Sequence, residues 1–211
     1  MTEAEGRISN SEDATATFTM KLSEVESKLE MALDKIDDLE NRSRRCNIRV
    51  VGLPEGSEGT NPVAFFRTWL PELLEINAKG GSVKVDRCHR ALTRRPPPGQ
   101  RPRAVILKLH NFQDKVRIMQ AARKAQSLAY NGAPIMFFDD FSAAVTRKRQ
   151  EYYAVKQRLK ERGIVFAMMY PAVLKIKYNG QEKVFKHHKE VSAFLDKESQ
   201  RGGSPSTLPD E

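Results

Sequence analysis

The chain is 211 residues long and 39% apolar, and it carries 36 Lys and Arg against 27 Asp and Glu, a net charge of +9. That length leaves room for one or two small domains with appendages. No run of about 18 uncharged apolar residues occurs, which excludes a membrane-spanning segment, and the polar, acidic start MTEAEGRISNSEDATATF does not have the order of a secretory signal.

The charge is unevenly placed. Residues 1–40 hold four bases against eleven acids, a net of −7, whereas residues 41–211 hold 32 against 16, a net of +16. An acidic arm is joined to a strongly basic body, and a body so charged repels itself unless a polyanion neutralises it, nucleic acid being the commonest. The two cysteines, Cys46 and Cys88, read as free, packed thiols of a reducing compartment.

Residues 1–17 show no apolar period and are expected to be disordered. From Phe18 a heptad begins, with Leu22, Leu29 and Ile36 at a and Phe18, Val25, Ala32 and Leu39 at d; nearly every other position is charged or small. So narrow a strip suits a helix–helix seam better than the face of a globular helix. About 40 Å of helix results. A single amphipathic helix lying on the body is the alternative, and the core residues do not fix an oligomer number.

Arg42, Arg44 and Arg45 then close the helix, and CNIRVV alternates as a half-buried strand. NPVAFFRTWLPELLEI follows as a helix with Asn61 at its N-cap, Pro62 at its first position, and Phe65, Trp69 and Leu73 on one face; Pro71 predicts a kink or early stop. SVKVDRCHRAL and AVILKLHNF read as strands, QDKVRIMQAARKAQ as a helix with Val116, Met119 and Ala122 inward, and APIMFFDDF as a fourth strand. The order β-α-β-β-α-β is the split βαβ plan: an antiparallel sheet with two helices on one face and the other face bare.

Between the second and third strands lies HRALTRRPPPGQRPR, with Arg90, Arg94, Arg95, Arg101 and Arg103, three consecutive prolines and no acid. Prolines resist helix and restrict the chain, so the loop reads as an extended jaw for a phosphate backbone; a solvated charged loop is the plainer reading. On the bare sheet face the usual outward aromatics of the first and third strands are missing. Arg49 stands at the first-strand position, and Ile106 and Lys108 face out from the third. Arginine stacks on bases and pairs with phosphate; an ordinary solvated face is the alternative.

From Ser142 a second unit starts. AAVTRKRQEYYAVKQRLKERG is read as one long basic helix, including Arg147 and Arg149, with Val145, Tyr152, Val155 and Leu159 as its apolar stripe and Gly163 as its end. A strand IVFAMMYP, a hairpin turning at Asn179-Gly180 and a last helix KEVSAFLDK complete it. RGGSPSTLPDE is a frayed tail. No metal-ligand spacing, phosphate loop or nucleophile motif is present, and no cofactor or metal is expected. Asp139-Asp140 reads as a helix-cap feature, because adjacent strand residues point apart. The chain is not read as an enzyme.

Six segments, ENRSRRCNIRVVGLPE, VDRCHRA, PRAVILKL, MQAARK, DDFSAAVTRKRQEY and MMYPAVLKI, resemble in order and spacing the RNA-binding protein of the first open reading frame of LINE-1 retrotransposons, the transposase 22 family. The resemblance implies a homotrimer joined by its coiled coil, an RNA-recognition-motif domain, and a C-terminal domain, which together clamp single-stranded RNA and chaperone nucleic acids without chemistry. Residue by residue it implies RNA contacts at Asn47, Arg49, Arg103, Lys108, Arg123, Arg149 and Tyr170. It also implies a trimer signature at Lys35-Ile36-Asp37-Asp38-Leu39-Glu40.

The reading is therefore α+β: a disordered arm (1–17), a coiled coil (18–45) with Leu22, Val25, Leu29, Ala32, Lys35, Ile36, Leu39 and Glu40 in assembly, an RRM-like domain (46–139), a small α/β C-terminal RNA-binding domain (140–198) and a disordered tail (199–211). The expected RNA contacts are Asn47, Arg49, Arg94, Arg95, Arg101, Arg103, Lys108, Arg123, Arg147, Arg149 and Tyr170. The expected partner is single-stranded RNA, or single-stranded DNA, in cytoplasmic ribonucleoprotein granules or the nucleus. The alternatives are a domesticated, transposon-derived regulator of RNA metabolism and a coiled-coil interaction scaffold.

Overall fold

The computed structural model describes residues 3–76, 83–97, 99–125 and 127–201. The chain divides into two units, Met1–Asp140 and Phe141–Glu211.

The first unit opens with helix α1, Glu3–Ser43. The helix thus begins well before the seam expected from Phe18, and residues 3–17, expected to be disordered, are helical. No glycine or proline interrupts the sequence from Arg7 to Arg45, and the hydroxyls of Thr15, Thr17 and Thr19 donate back to carbonyls four residues earlier, at 2.8–2.9 Å. Such local bonds satisfy the hydroxyls without leaving the helix.

Strands β1 (Asn47–Val51), β2 (Val85–Arg90), β3 (Val105–Leu109) and β6 (Met136–Asp139) form an antiparallel sheet in the order β2-β3-β1-β6. A two-residue hairpin, β4 (Ala129–Tyr130) and β5 (Ala133–Pro134), precedes β6 and turns on Asn131 and Gly132, both at positive φ. Helices α2 (Pro62–Leu73) and α3 (Phe112–Lys124) cover one face, so the βαββαβ plan read from the sequence holds. On that face Ile48, Val50, Val105, Leu107 and Leu109 meet Phe66, Trp69, Leu70, Ile118 and Met119 in one buried cluster.

The inward faces of both helices are rotated from expectation. In α2, Phe66, Trp69 and Leu70 are buried while Phe65 and Leu73 are partly buried. The helix continues two residues past Pro71; at its other end Asn61 is the expected N-cap, accepting from the Ala64 N–H at 3.1 Å. In α3, Lys115, Ile118 and Met119 point inward and Val116 and Ala122 lie half-buried. Lys115 is tolerated there because its ammonium donates to the Arg45 carbonyl at 3.0 Å and pairs with Asp139 at 2.8 Å, which offsets the cost of burying the charge.

Gly52 ends β1 at φ +98°, and a Cβ built on it would stand 2.0 Å from the Pro134 carbonyl oxygen. A side chain there meets both backbone strain and backbone, so Gly52→Ala should cost about 3 kcal/mol. Trp69, the single tryptophan, lies in this core, and the expected result is a clear fall in the urea midpoint of its fluorescence. An unchanged midpoint would mean that the hairpin does not press on Gly52 in solution.

In the second unit β7 (Phe166–Met169), β8 (Val173–Tyr178) and β9 (Gln181–Phe185) form an antiparallel meander. The β8–β9 turn at Asn179 (φ 49°) and Gly180 (φ 76°) is the tight hairpin the sequence signals. The expected long basic helix is instead two helices, α4 (Ala143–Gln150) and α5 (Tyr153–Glu161), broken at Glu151-Tyr152. The break lets Tyr152, Val155 and Leu159 join Leu174, Ile176, Val191 and Leu195 in a second core. The last helix, α6 (His188–Arg201), takes in residues 199–201 of the expected tail; residues 202–211 lie outside the described residues.

Candidate nucleic-acid interface

Register decides what the bare face of the first sheet displays. Opposed residues on antiparallel strands share a face, and His89, Ile106, Arg49 and Phe138 are opposed in turn across β2, β3, β1 and β6. Arg87, Lys108 and Asn47 form the neighbouring row. Phe138 is 46% exposed, so the edge strand β6 places a phenyl ring on the same face as Arg49 of its neighbour β1. Aromatics are missing from the outward positions of the first and third strands, and the exposed ring stands instead on the last. The signal was legible: of two consecutive phenylalanines in a strand one must face out, and Phe137, stacked against Trp69, takes the core.

Alternation also separates the two aspartates. Asp139 points to the helix side, toward Lys115 and, at 3.7 Å, Arg123. Asp140 points to the bare face, yet its carboxylate is wholly buried. Arg44 from the end of α1 donates to it at 2.9 Å, Asn47 at 3.1 Å and Arg49 at 2.8 Å. Burial pushes the Asp140 carboxyl up, but the bonds from Asn47 and Arg49 and the nearby arginine charges outweigh it, and the net shift is down. The aspartate pair is therefore a double anchor and not a cap; Ser142 itself caps α4, accepting from the Val145 N–H at 3.2 Å.

The β2–β3 loop is similarly divided. Arg90 is nearly buried and donates to the carbonyls of Leu53, Pro54 and Arg103 and to both carboxylate oxygens of Glu58. Arg103 holds Glu55 through its guanidinium and its backbone N–H, and the hydrogen bond from Arg103 keeps the Glu55 carboxyl at about 2. Arg94, Arg95 and Arg101 are exposed and have no ion pair among the described residues. Burial pushes the Cys88 thiol up to about 12; Cys46 and Cys88 are both free.

In the second unit Arg149 lies 4.1 Å above the Phe141 ring and donates to the carbonyls of Pro171 at 2.6 Å and Met169 at 3.1 Å. It thus braces the turn that carries Tyr170, whose ring sits 6.0 Å from Phe141 and is half-exposed. Arg147 is exposed.

The expected RNA contacts fall into two groups. Asn47, Arg49, Arg103, Arg123 and Arg149 already serve partners in the fold, whereas Arg94, Arg95, Arg101, Lys108 and Arg147 present cations to solvent. Arg49 belongs partly to both, because only one of its amino groups is bonded to Asp140 and its side chain is 37% exposed. Along α1, Leu22, Val25, Leu29, Ala32, Lys35, Ile36 and Leu39 are all exposed, while Glu40 is taken by Arg44 at 2.8 Å. Among the described residues no group of His, Cys, Asp or Glu could hold a metal ion, and no helix is long and apolar enough to cross a membrane.

Comparison with known proteins gives this arrangement a lineage. Over 195 residues, 92% of the chain, it is 26% identical to the LINE-1 retrotransposable element ORF1 protein of Mus musculus. The chain is homologous to LINE-1 first-open-reading-frame proteins. It is also 26% identical over 194 residues to the LINE-1 type transposase domain-containing protein 1 of Mus musculus, and 28% identical over 157 residues to the human protein of that name. These alignments cover 90% and 72% of the chain. The chain spans about half the length of the first of these LINE-1 relatives, 55%, and 24% and 18% of the other two. No family model matches it. The protein is thus related to retrotransposon-encoded proteins.

Proposed function

We propose that this protein binds single-stranded RNA without chemistry, as the nucleic-acid chaperone component of a retrotransposon ribonucleoprotein. The observation that carries the reading is the row His89–Ile106–Arg49–Phe138 across an uncovered sheet, with Lys108 and Arg87 beside it. A ring and a guanidinium plane offer stacking surfaces to unpaired bases, and the cations neutralise phosphate. Because neither sets a hydrogen-bond code, recognition is by strandedness and charge, as strand annealing and exchange require. The basic surplus of residues 41–211, the exposed Arg94, Arg95, Arg101 and Arg147, and the LINE-1 relatives support the same reading. Single-stranded DNA offers the same phosphates and bases. In this proposal the exposed apolar stripe of α1 joins copies of the chain, as a trimer, within cytoplasmic ribonucleoprotein granules or the nucleus.

Charge and stacking predict separable effects. Filter binding of a uridine-rich single-stranded RNA over a salt series should show the Lys108→Gln, Arg87→Gln, Arg147→Gln triple variant losing about 2 from the log–log salt slope, at about 0.7 per phosphate contact. Phe138→Ala should weaken binding by about 1–3 kcal/mol and leave the slope unchanged. A parent protein that does not retain RNA even at low salt, or a triple variant with an unaltered slope, refutes the reading.

A further inference from the structure

Arg49 stands on the bare face of the sheet, yet an aspartate of the same fold already holds it. We propose that the Asp140 carboxylate is a built-in competitor for RNA phosphate at Arg49. A bound strand takes the guanidinium from the aspartate, so Asp140 lowers the affinity and keeps the strand easy to release. The proposal rests on the single-strand reading above and names the residue that sets its strength.

Three donors converge on this one anion. Arg44 Nη1 donates to Oδ2 at 2.9 Å, Asn47 Nδ2 to Oδ2 at 3.1 Å and Arg49 Nη2 to Oδ1 at 2.8 Å. Two guanidiniums and an amide are donors that hold a phosphate as well as a carboxylate. Asp140 thus supplies, from inside the fold, the anion that a nucleic-acid strand would supply from outside.

The bond to Arg49 is suited to exchange. It uses a single amino group, on a side chain that is 37% exposed. Arg103 differs: it grips both oxygens of Glu55 through Nε and Nη2 and adds its backbone N–H. Such a two-pronged pair is the stronger and the more fixed in geometry. When Arg49 leaves, Asp140 keeps Arg44 and Asn47, so no buried charge is left unpaired. Arg44 is itself held by Glu40 at 2.8 Å, which makes Arg49 the mobile partner of the two arginines.

The closed arrangement is also imperfect. Asn47 Oδ1 is buried without a hydrogen-bond partner, and a buried acceptor left unsatisfied is costly. An arrangement with that defect has less to lose on opening. The outcome suits a chaperone, because strand annealing and exchange need contacts that break as readily as they form.

The test is filter binding of the uridine-rich RNA to the full chain at one fixed salt concentration. The variants are Asp140→Asn, Arg49→Gln, the two combined, and Glu72→Gln, which removes one acid from an exposed position on α2. Asp140→Asn should bind about tenfold tighter than the parent, the worth of one charge-assisted hydrogen bond no longer exchanged, and should dissociate more slowly. Glu72→Gln should bind much as the parent does. Once Arg49 is glutamine, Asp140→Asn should gain no more than Glu72→Gln gains. The proposal is overturned if Asp140→Asn binds no tighter than Glu72→Gln, or if its gain persists without Arg49. Trp69 fluorescence checks that each variant is folded. Should Asp140→Asn unfold, nitrogen-15 NMR of the parent's arginine side chains decides, with Arg49→Gln assigning the signal. Saturating RNA should shift the Arg49 guanidinium resonances, and resonances that stay in place overturn the proposal. A parent that retains no RNA removes both this proposal and the single-strand reading, whereas a parent that binds while the other results go against Asp140 removes this proposal alone.

Discussion

Replacing Asp140 with alanine is expected to destabilise the first unit by about 2–3 kcal/mol. Removing one partner of a buried ion pair costs about 3–5 kcal/mol when the other charge stays buried. Here Arg44 and Arg49 are about a third exposed and can turn toward water, which reduces the penalty. The loss reaches further than one strand, because the carboxylate joins the C-terminal end of α1 to β1 and the end of β6. Trp69 fluorescence reports this unit, and its urea midpoint should fall. Asp140→Asn, which keeps an acceptor and loses the charge, should fall between alanine and the parent. A midpoint unchanged in both variants would show that the anchor contributes nothing. The same carboxylate makes a pH prediction. Its folded pKa lies below the ordinary value, so its contribution is complete above about pH 4 and fades as the pH drops through the lowered value. The asparagine variant should therefore lose less stability than the parent in acid.

The second large effect concerns α1. Phe18, Leu22, Val25, Leu29, Ile36 and Leu39 are each more than half exposed on a single helix, and burying one such side chain contributes about 1.5–3 kcal/mol. A stripe with 3-4 spacing over that length buries itself only against another helix. On the proposed trimer, light scattering should give the parent a mass of three chains. Leu29→Asp with Ile36→Asp should give one chain, with an unchanged Trp69 midpoint, since neither side chain touches that core. A parent that scatters as one chain at tens of micromolar removes the assembly proposal.

Much of this protein was legible before any coordinates. The βαββαβ order, the inward Val105, Leu107 and Leu109, the outward Lys108 and the Asn179-Gly180 hairpin follow from alternation and turn chemistry, which are local. The inward faces of α2 and α3 did not follow, because a one-residue rotation leaves the apolar pattern nearly unaltered and only the partner surface chooses. Nor did the break at Glu151-Tyr152. The segment suits a helix throughout, and the second core draws Tyr152 in at the cost of one turn.

The candidate interface divides along the same line. Sequence alone determined that the body is cationic, that its sheet has a bare face with Arg49 and Lys108 on it, and that an arginine-proline loop stands beside it. Tertiary structure alone decided most of which cations are available, since Arg49, Arg103, Arg123 and Arg149 are committed by acids or carbonyls distant in sequence. Asp140 meets Arg49 across 91 positions and Glu55 meets Arg103 across 48. Ion pairing over such separations leaves no local pattern to read, because Coulomb attraction depends on distance in space and not on order along the chain.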